Sequence, residues 1–203
     1  QFPSHVSHEL RTPLTSIKGF IQNLLDGLTG PLNEKQQRYL VRMSENSDRL
    51  VRMIEDLLDR TRIETGRLEV HPADVEIEPC LADVIEQLKP LAQAKQQSLE
   101  FRCAGTEVVV WADRDRLIQT VVNLVQNAIK FTPPGGTVSV ACELPNHRTA
   151  TVLVRDTGPG IAPEYLDKIF DPFFRIQQGQ RTAPKGLGLG LSIVKTLVEL
   201  QGG

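Results

Sequence analysis

Apolar residues recur along the first third of the chain at alternating intervals of three and four. Ser7, Leu10, Leu14, Ile17, Ile21, Leu24 and Leu28 follow this spacing, the seam of a coiled-coil-like helix. The pattern breaks where Gly27, Gly30, Pro31 and Asn33 cluster, all turn formers. It resumes from about Glu34 with Leu40, Met43, Ser47, Leu50, Ile54 and Leu57. That second helix has roughly thirty residues and a length of about 45 Å. Residues 1–64 are therefore predicted to form a helical hairpin. Two amphipathic helices cannot cover both stripes against each other alone, so a homodimer with a four-helix bundle is expected.

The period changes from about Leu68. Short β-rich runs follow at Arg67–Val75, Ser98–Cys103, Val108–Ala112, Thr137–Leu144 and Thr149–Arg155. Helical patterns separate them at Ile77–Gln96 and Asp113–Phe131, and a last helix is predicted over Gly190–Gln201. Strands and helices in this order predict an α+β sandwich, one mixed sheet covered by helices. Thr65-Gly66 is the expected end of the long helix and the hinge between domains of residues 1–66 and 67–203.

Composition narrows the function classes. With 203 residues, 40% of them hydrophobic and 24% charged, the chain has an ordinary globular make-up. A net charge of −2 lacks the basic surplus of a duplex-binding protein, so no nucleic-acid partner is expected. No apolar run reaches the ~20 residues needed to cross a bilayer, so no membrane contact by this segment is expected either. Cys80, Cys103 and Cys142 are odd in number and form no Cys-x-x-Cys pair. They are expected to be buried thiols of a reducing compartment.

Two segments carry candidate chemistry. In the first, His8 is followed by Glu9, Thr12 and Pro13. With Ser7 and Leu14 at heptad position a, His8 falls at b and faces solvent, and Thr12 lies roughly 40° around the same face. An exposed imidazole with a pKa of ~6.5 is largely neutral at pH 7, as attack on phosphorus requires. A neighbouring carboxylate can hold one ring nitrogen as N–H and free the other. Pro13 predicts a kink beside this nucleophile. His5 lacks the Glu-x-x-Thr-Pro context and is expected to be a solvated surface residue.

The second segment has the parts of a Mg-nucleotide site. On the Asp113–Phe131 helix, Asn123, Asn127 and Lys130 fall within about 60° of each other, while apolar residues fill most of the rest. Amide oxygens can ligate Mg²⁺ without adding charge that repels a triphosphate, and a lysine meets phosphates as a point charge. Asp156 ends a strand and is followed by Gly158 and Gly160; a carboxylate suits the exocyclic amine of adenine. Ile161–Gly186, with Phe170, Phe173, Phe174 and Arg175, is expected to be a lid anchored by its phenylalanines. Gly186, Gly188 and Gly190 then open the last helix, whose N-terminal N–H groups suit phosphate. A nucleophilic His followed in this order by such elements describes an enzyme that phosphorylates its own histidine.

These residues closely resemble the sensor histidine kinases of bacterial two-component signalling. Ser7–Leu14 looks like the family's H-box, Asn123–Thr132 its N-box, Asp156–Gly160 its G1 box, Phe170–Arg175 its F-box and Gly186–Gly190 its G2 box. The resemblance spans essentially the whole chain. It implies a dimerisation and histidine-phosphotransfer hairpin joined to a Bergerat-type ATP-binding domain. It further implies His8 as phospho-acceptor, Glu9 as its base, and Thr12 as the residue that positions water for phosphatase action on the partner. Asn127 would be the main Mg²⁺ ligand with Asn123 and Lys130 in support, and Asp156 would recognise adenine. Arg175 would reach the γ-phosphate, and an aspartate in the receiver domain of a response regulator would take the phosphoryl group. The family pattern continues with strands past Gly202-Gly203, so the second domain is expected to be C-terminally incomplete. A sensor module is expected upstream, in a parent protein whose kinase core is cytoplasmic. Two rivals share parts of this pattern: a nucleotide-gated dimer scaffold without catalysis, and an ATPase of the topoisomerase or mismatch-repair kind.

Overall fold

The turn formers around Gly30 separate two antiparallel helices, α1 (Phe2–Leu25) and α2 (Glu34–Glu64), in the computed structural model. It describes residues 2–103, 108–146, 149–176 and 186–203, with only the backbone for 2–8, 10, 11, 145 and 146. α1 remains one helix through Pro13. Asn33 starts α2 with a capping box: its side-chain oxygen accepts the Gln36 N–H at 2.9 Å, and Gln36 Oε1 accepts the Asn33 N–H at 2.9 Å. Gly66 ends α2 with φ +62°, and the bonds Gly66 N–H to Ile63 O and Arg67 N–H to Arg62 O complete a Schellman motif. An ion pair of 2.7 Å between Lys18 and Asp48 joins the two helices. It is exposed and fixes register more than it stabilises.

The predicted seam is half covered. Ile21 and Ser47 are buried, but Ile17, Leu28, Met43, Leu50 and Leu57 are exposed. Contacts divide the chain into two compact units, Gln1–Leu68 and Glu69–Gly203.

The second unit contains β1 (Ala73–Glu76), α3 (Ile77–Ala94), β2 (Ser98–Cys103), β3 (Val109–Ala112), α4 (Arg114–Phe131), β4 (Thr137–Asn146), β5 (Thr149–Asp156) and α5 (Gly190–Leu200). The strands fall into two sets where one sheet was expected. β1 pairs antiparallel with β3, while β2, β4 and β5 form a mixed sheet with β2 parallel to β4 and β5 antiparallel to it. Its helix-covered face carries Leu99, Phe101, Val138, Val140, Val152 and Val154, packed with Leu81, Val84, Val121, Val125 and Ile129 of α3 and α4.

The run Arg67–Val75 was expected to be a strand throughout; only its end, from Ala73, pairs. Pro72 has no N–H for a ladder, and the His71 N–H is taken by Asp113 Oδ2 at 2.8 Å. α3 likewise stops at Ala94, and Gln96 turns the chain with φ +56°. Among the described residues no helix is long and apolar enough to cross a membrane.

Candidate functional site

α4 and α5 pack against each other and run antiparallel. The Asp113 N–H donates to Gln201 Oε1 at 2.8 Å where α4 begins and α5 has ended, and Gly190 at the other end lies beside Asn123 and Asn127. α4 is fixed at both ends. Asp113 caps its start by accepting the N–H groups of Asp115 and Arg116 at 3.0 and 3.2 Å. Burial would raise the Asp113 pKa, but backbone donors from His71, Arg116 and Asp115 outweigh it and hold the carboxyl below its ordinary value. At the far end, Lys95 Nζ donates to the carbonyls of Ile129 at 2.6 Å and Lys130 at 3.0 Å. Gln97 Nε2 donates to those of Ile129 at 3.0 Å and Thr132 at 2.6 Å. A cation here satisfies orphan carbonyls and complements the helix dipole.

The predicted polar stripe emerges from this frame. Val121, Val125, Ala128 and Ile129 face the core, while Asn123, Asn127 and Lys130 are half-buried on the other side. A Cβ placed on Gly190 would lie 3.9 Å from Asn127 Nδ2 and 4.0 Å from Asn123 Oδ1, and one on Gly186 3.3 Å from Lys130 Nζ. The glycine segment thus runs along the stripe with its backbone open to it. Asn123 Nδ2 is buried without a hydrogen-bond partner, an arrangement that costs ~1–3 kcal/mol until an acceptor arrives. The first N–H groups of α5 open beside it, since the cap residue Leu189 offers no side-chain bond.

Asp156 ends β5 on the neighbouring edge. Its Oδ1 accepts the Gly158 N–H at 2.8 Å, and a Cβ on Gly158 would stand 2.6 Å from that oxygen and 3.3 Å from the Phe131 carbonyl. Only glycine lets this turn lie against the end of α4. Thr157 bonds both ways with Thr137, its Oγ1 accepting an N–H at 2.9 Å and its own N–H donating at 3.1 Å. Gly160 has φ +71° and open space around it.

Gly188 joins the predicted lid to the glycine segment. It has φ +76°, and a Cβ there would meet Phe174 O at 2.7 Å and the Phe173 carbonyl carbon at 2.9 Å. The Phe173 N–H donates to Gly188 O at 2.9 Å. Tyr165 and Phe174 rings sit 6.0 Å apart. Phe174 is half-buried, but Phe170 and Phe173 are exposed, so the anchor is backbone bonding and one ring rather than three. Arg175 is exposed beside Gly188. Residues 177–185 of the predicted lid lie outside the described residues.

Asn123, Asn127, Lys130, Gly186 and Gly190 are therefore brought together, and Asp156 with Gly158 joins them through the end of α4. Glu9 and Thr12 are exposed on α1, which also holds His8, whose side chain lies outside the described residues. Lys95, Gln97 and Thr157 were not anticipated. Thr157 adjoins a predicted residue; Lys95 and Gln97 bond carbonyls more than thirty positions away, and no local pattern signals that.

Amide oxygens beside an open helix N-terminus are a hard-oxygen donor set that suits Mg²⁺ only together with ligand oxygens. Among the described residues no group of three His, Cys, Asp or Glu offers an all-protein metal site. The residues fit a cation delivered with a phosphorylated ligand.

Residues 1–66 match the family described as His Kinase A (phospho-acceptor) domain. Residues 112–203 match the histidine kinase-, DNA gyrase B- and HSP90-like ATPases. The sensor histidine kinase AtsR of Burkholderia thailandensis is 38% identical over 200 residues, 97% of this chain and 33% of that protein. The chain thus spans about a third of the length of such curated relatives. Full-length ShkA in complex with AMPPNP superposes with a TM-score of 0.76 at 32% identity, over 98% of this chain and 41% of that one. The catalytic domain of histidine kinase ThkA gives 0.56 at 30% identity, over 64% of this chain and 82% of that one. ThkA in complex with the response regulator TrrA gives 0.63 at 26% identity, over 98% and 54%.

Proposed function

The chain belongs to the sensor histidine kinases of two-component signalling, and from that premise we propose that it phosphorylates His8 with ATP and passes the phosphoryl group to an aspartate of a response regulator. The observation that carries the reading is the Gly190 backbone lying against Asn123 and Asn127, with the Asn123 amide orphaned. In this reading Asp156, oriented by the Gly158 N–H, presents its second carboxylate oxygen to the adenine amine. The Gly186–Gly190 backbone and Lys130 hold phosphates, and Arg175 reaches the γ-phosphate. Asn127, with Asn123, holds Mg²⁺, which when bound supplies charge neutralisation at the phosphates.

The rest of the catalysis is positioning. A neutral ring nitrogen of His8 attacks the γ-phosphorus in line, the bond to the β-phosphate oxygen breaks, and ADP leaves. Glu9 holds and then takes the proton of the other ring nitrogen. The Thr65-Gly66 hinge and the turn at Pro13 are the places where the backbone can rearrange to bring the two groups together. Thr12, exposed on α1, positions water when the enzyme dephosphorylates its regulator; unchanged regulator dephosphorylation by Thr12→Ala would remove that role.

The half-covered seam supports a homodimer, in which Ile17, Met43, Leu50 and Leu57 face a second hairpin. The ThkA–TrrA complex supports a receiver domain as the phosphoryl acceptor. The pocket assignment is tested by calorimetric titration with Mg-ATP. Asn127→Ala is expected to weaken binding by more than about tenfold, one lost charge-assisted contact or more, while His8→Gln leaves it unchanged. Equal affinities in both variants would contradict the assignment. A scaffold would bind Mg-ATP in the same way and never label His8.

A further inference from the structure

Cys103 and Cys142 are far apart in sequence and adjacent in space. Cys103 is the last residue of β2 and pairs in parallel register with Cys142 of β4. Directly paired residues on neighbouring strands project to the same face, and the strands run ~4.8 Å apart, inside the Cα separation of about 4.4–6.8 Å that a disulfide spans. Both side chains join the helix-covered face of the mixed sheet, and neither is in a disulfide. The Cys142 thiol hydrogen-bonds with that of Cys103.

The two thiols are not equivalent. Cys142 is 1% exposed, and its pKa is pushed up to about 11 by burial and then by the neighbouring Cys103. It stays a thiol at neutral pH. Cys103 is half-buried at the end of an edge strand, where a small oxidant can reach it. No third His, Cys, Asp or Glu completes a metal-binding group among the described residues, so the pair has redox rather than metal chemistry open to it. The third cysteine, Cys80, is 2% exposed on α3 and stands as an internal control.

We propose that Cys103 and Cys142 are a peroxide-oxidisable dithiol that closes reversibly into a disulfide within the folded second unit. The Cys103 thiolate attacks one peroxide oxygen; the O–O bond breaks, and the other oxygen leaves as water after taking up a proton. The sulfur of Cys142 then attacks the sulfenic acid of Cys103. The S–O bond breaks, the S–S bond forms, and the Cys142 proton leaves with the hydroxyl as a second water. Two thiols lose two electrons in total, and hydrogen peroxide gains them. The bridge would pin the edge strand β2 to β4 just before the irregularity at Glu143/Asn146. It would also close a ring containing all of α4, with Asn123, Asn127 and Lys130. The inference does not depend on the kinase reading.

The test treats the reduced 203-residue protein with one equivalent of hydrogen peroxide, blocks remaining thiols by alkylation, and maps peptides without reduction. The expected result is an intramolecular Cys103–Cys142 bridge with loss of two hydrogens, unchanged in Cys80→Ser and reversed by dithiothreitol. Cys103 driven to sulfinic acid while Cys142 remains alkylatable overturns the proposal, as does a bridge involving Cys80 or a second molecule. The wild-type mapping needs no variant to fold. A native bridge restricts the unfolded chain, so the oxidised protein should melt about 5–15 °C higher. A lower melting temperature would mean that the folded unit does not accommodate the bond without distortion, and would overturn it equally.

Discussion

Leu50 in α2 and Leu81 in α3 are the same residue on helices of the same amphipathic kind, yet Leu50 is 49% exposed and Leu81 0%. The difference lies in what the chain supplies as a partner. α3 meets α4 and the mixed sheet within its own unit, so one chain closes that core. The hairpin has only its own two helices, and one side of each seam stays open. A sequence pattern thus states how much surface an element must bury, while the topology decides whether one chain can bury it.

The sharpest way to break this comparison is Leu50→Glu. In the proposed homodimer each copy loses one buried leucine, worth ~1.5–3 kcal/mol apiece, so association should weaken by roughly 10²–10⁴-fold in sedimentation equilibrium. Unchanged self-association would mean that the exposed seam is not the interface. Leu81→Ala sharpens the other side. It should cost ~2–5 kcal/mol in denaturant unfolding, and that loss should not vary with protein concentration. A concentration-dependent loss would tie the second unit's core to assembly.

A smaller effect is expected at the end of α4. Lys95→Met leaves the Ile129 and Lys130 carbonyls without their cation and should cost ~1–3 kcal/mol, seen as a lower denaturation midpoint with an unchanged slope. No shift in midpoint would show that Gln97 alone caps the helix.

The smallest effect lies in the hairpin. Asp56 is pushed up to about 6 by burial, then by Asp59 and Glu55, with Arg52 opposing. Its raised pKa makes the neutral form the better one in the fold. The associated stability is present below pH ~4 and is lost as pH rises through about 6. Asp56→Asn should therefore match the wild type near pH 4 and exceed it by about 1–2 kcal/mol at pH 7 after allowance for partial exposure. Parallel stability profiles for the two proteins across that range would remove the effect.

The same contrast explains what the sequence disclosed. The hairpin, the order of strands and helices, and the polar stripe of α4 were legible because each rests on local period or turn chemistry. Asn33 and Gly66 mark the ends of α2 for that reason. The strand expected from Arg67 was cut short by a bond from His71 to Asp113, forty-two positions away. Lys95 and Gln97 were invisible because they bond backbone carbonyls, which carry no sequence signal. Cys103 and Cys142 read as separate buried thiols until register made them neighbours. Phe170 and Phe173 were assigned to the core by residue type, but the Gly188 backbone holds that segment instead.

The most direct test of the kinase assignment is incubation with Mg-ATP carrying a labelled γ-phosphate. Label that stays on the protein, is lost in acid, survives base and is absent in His8→Gln is the predicted result. Bound nucleotide without labelled protein, or label that persists in His8→Gln, would contradict the assignment.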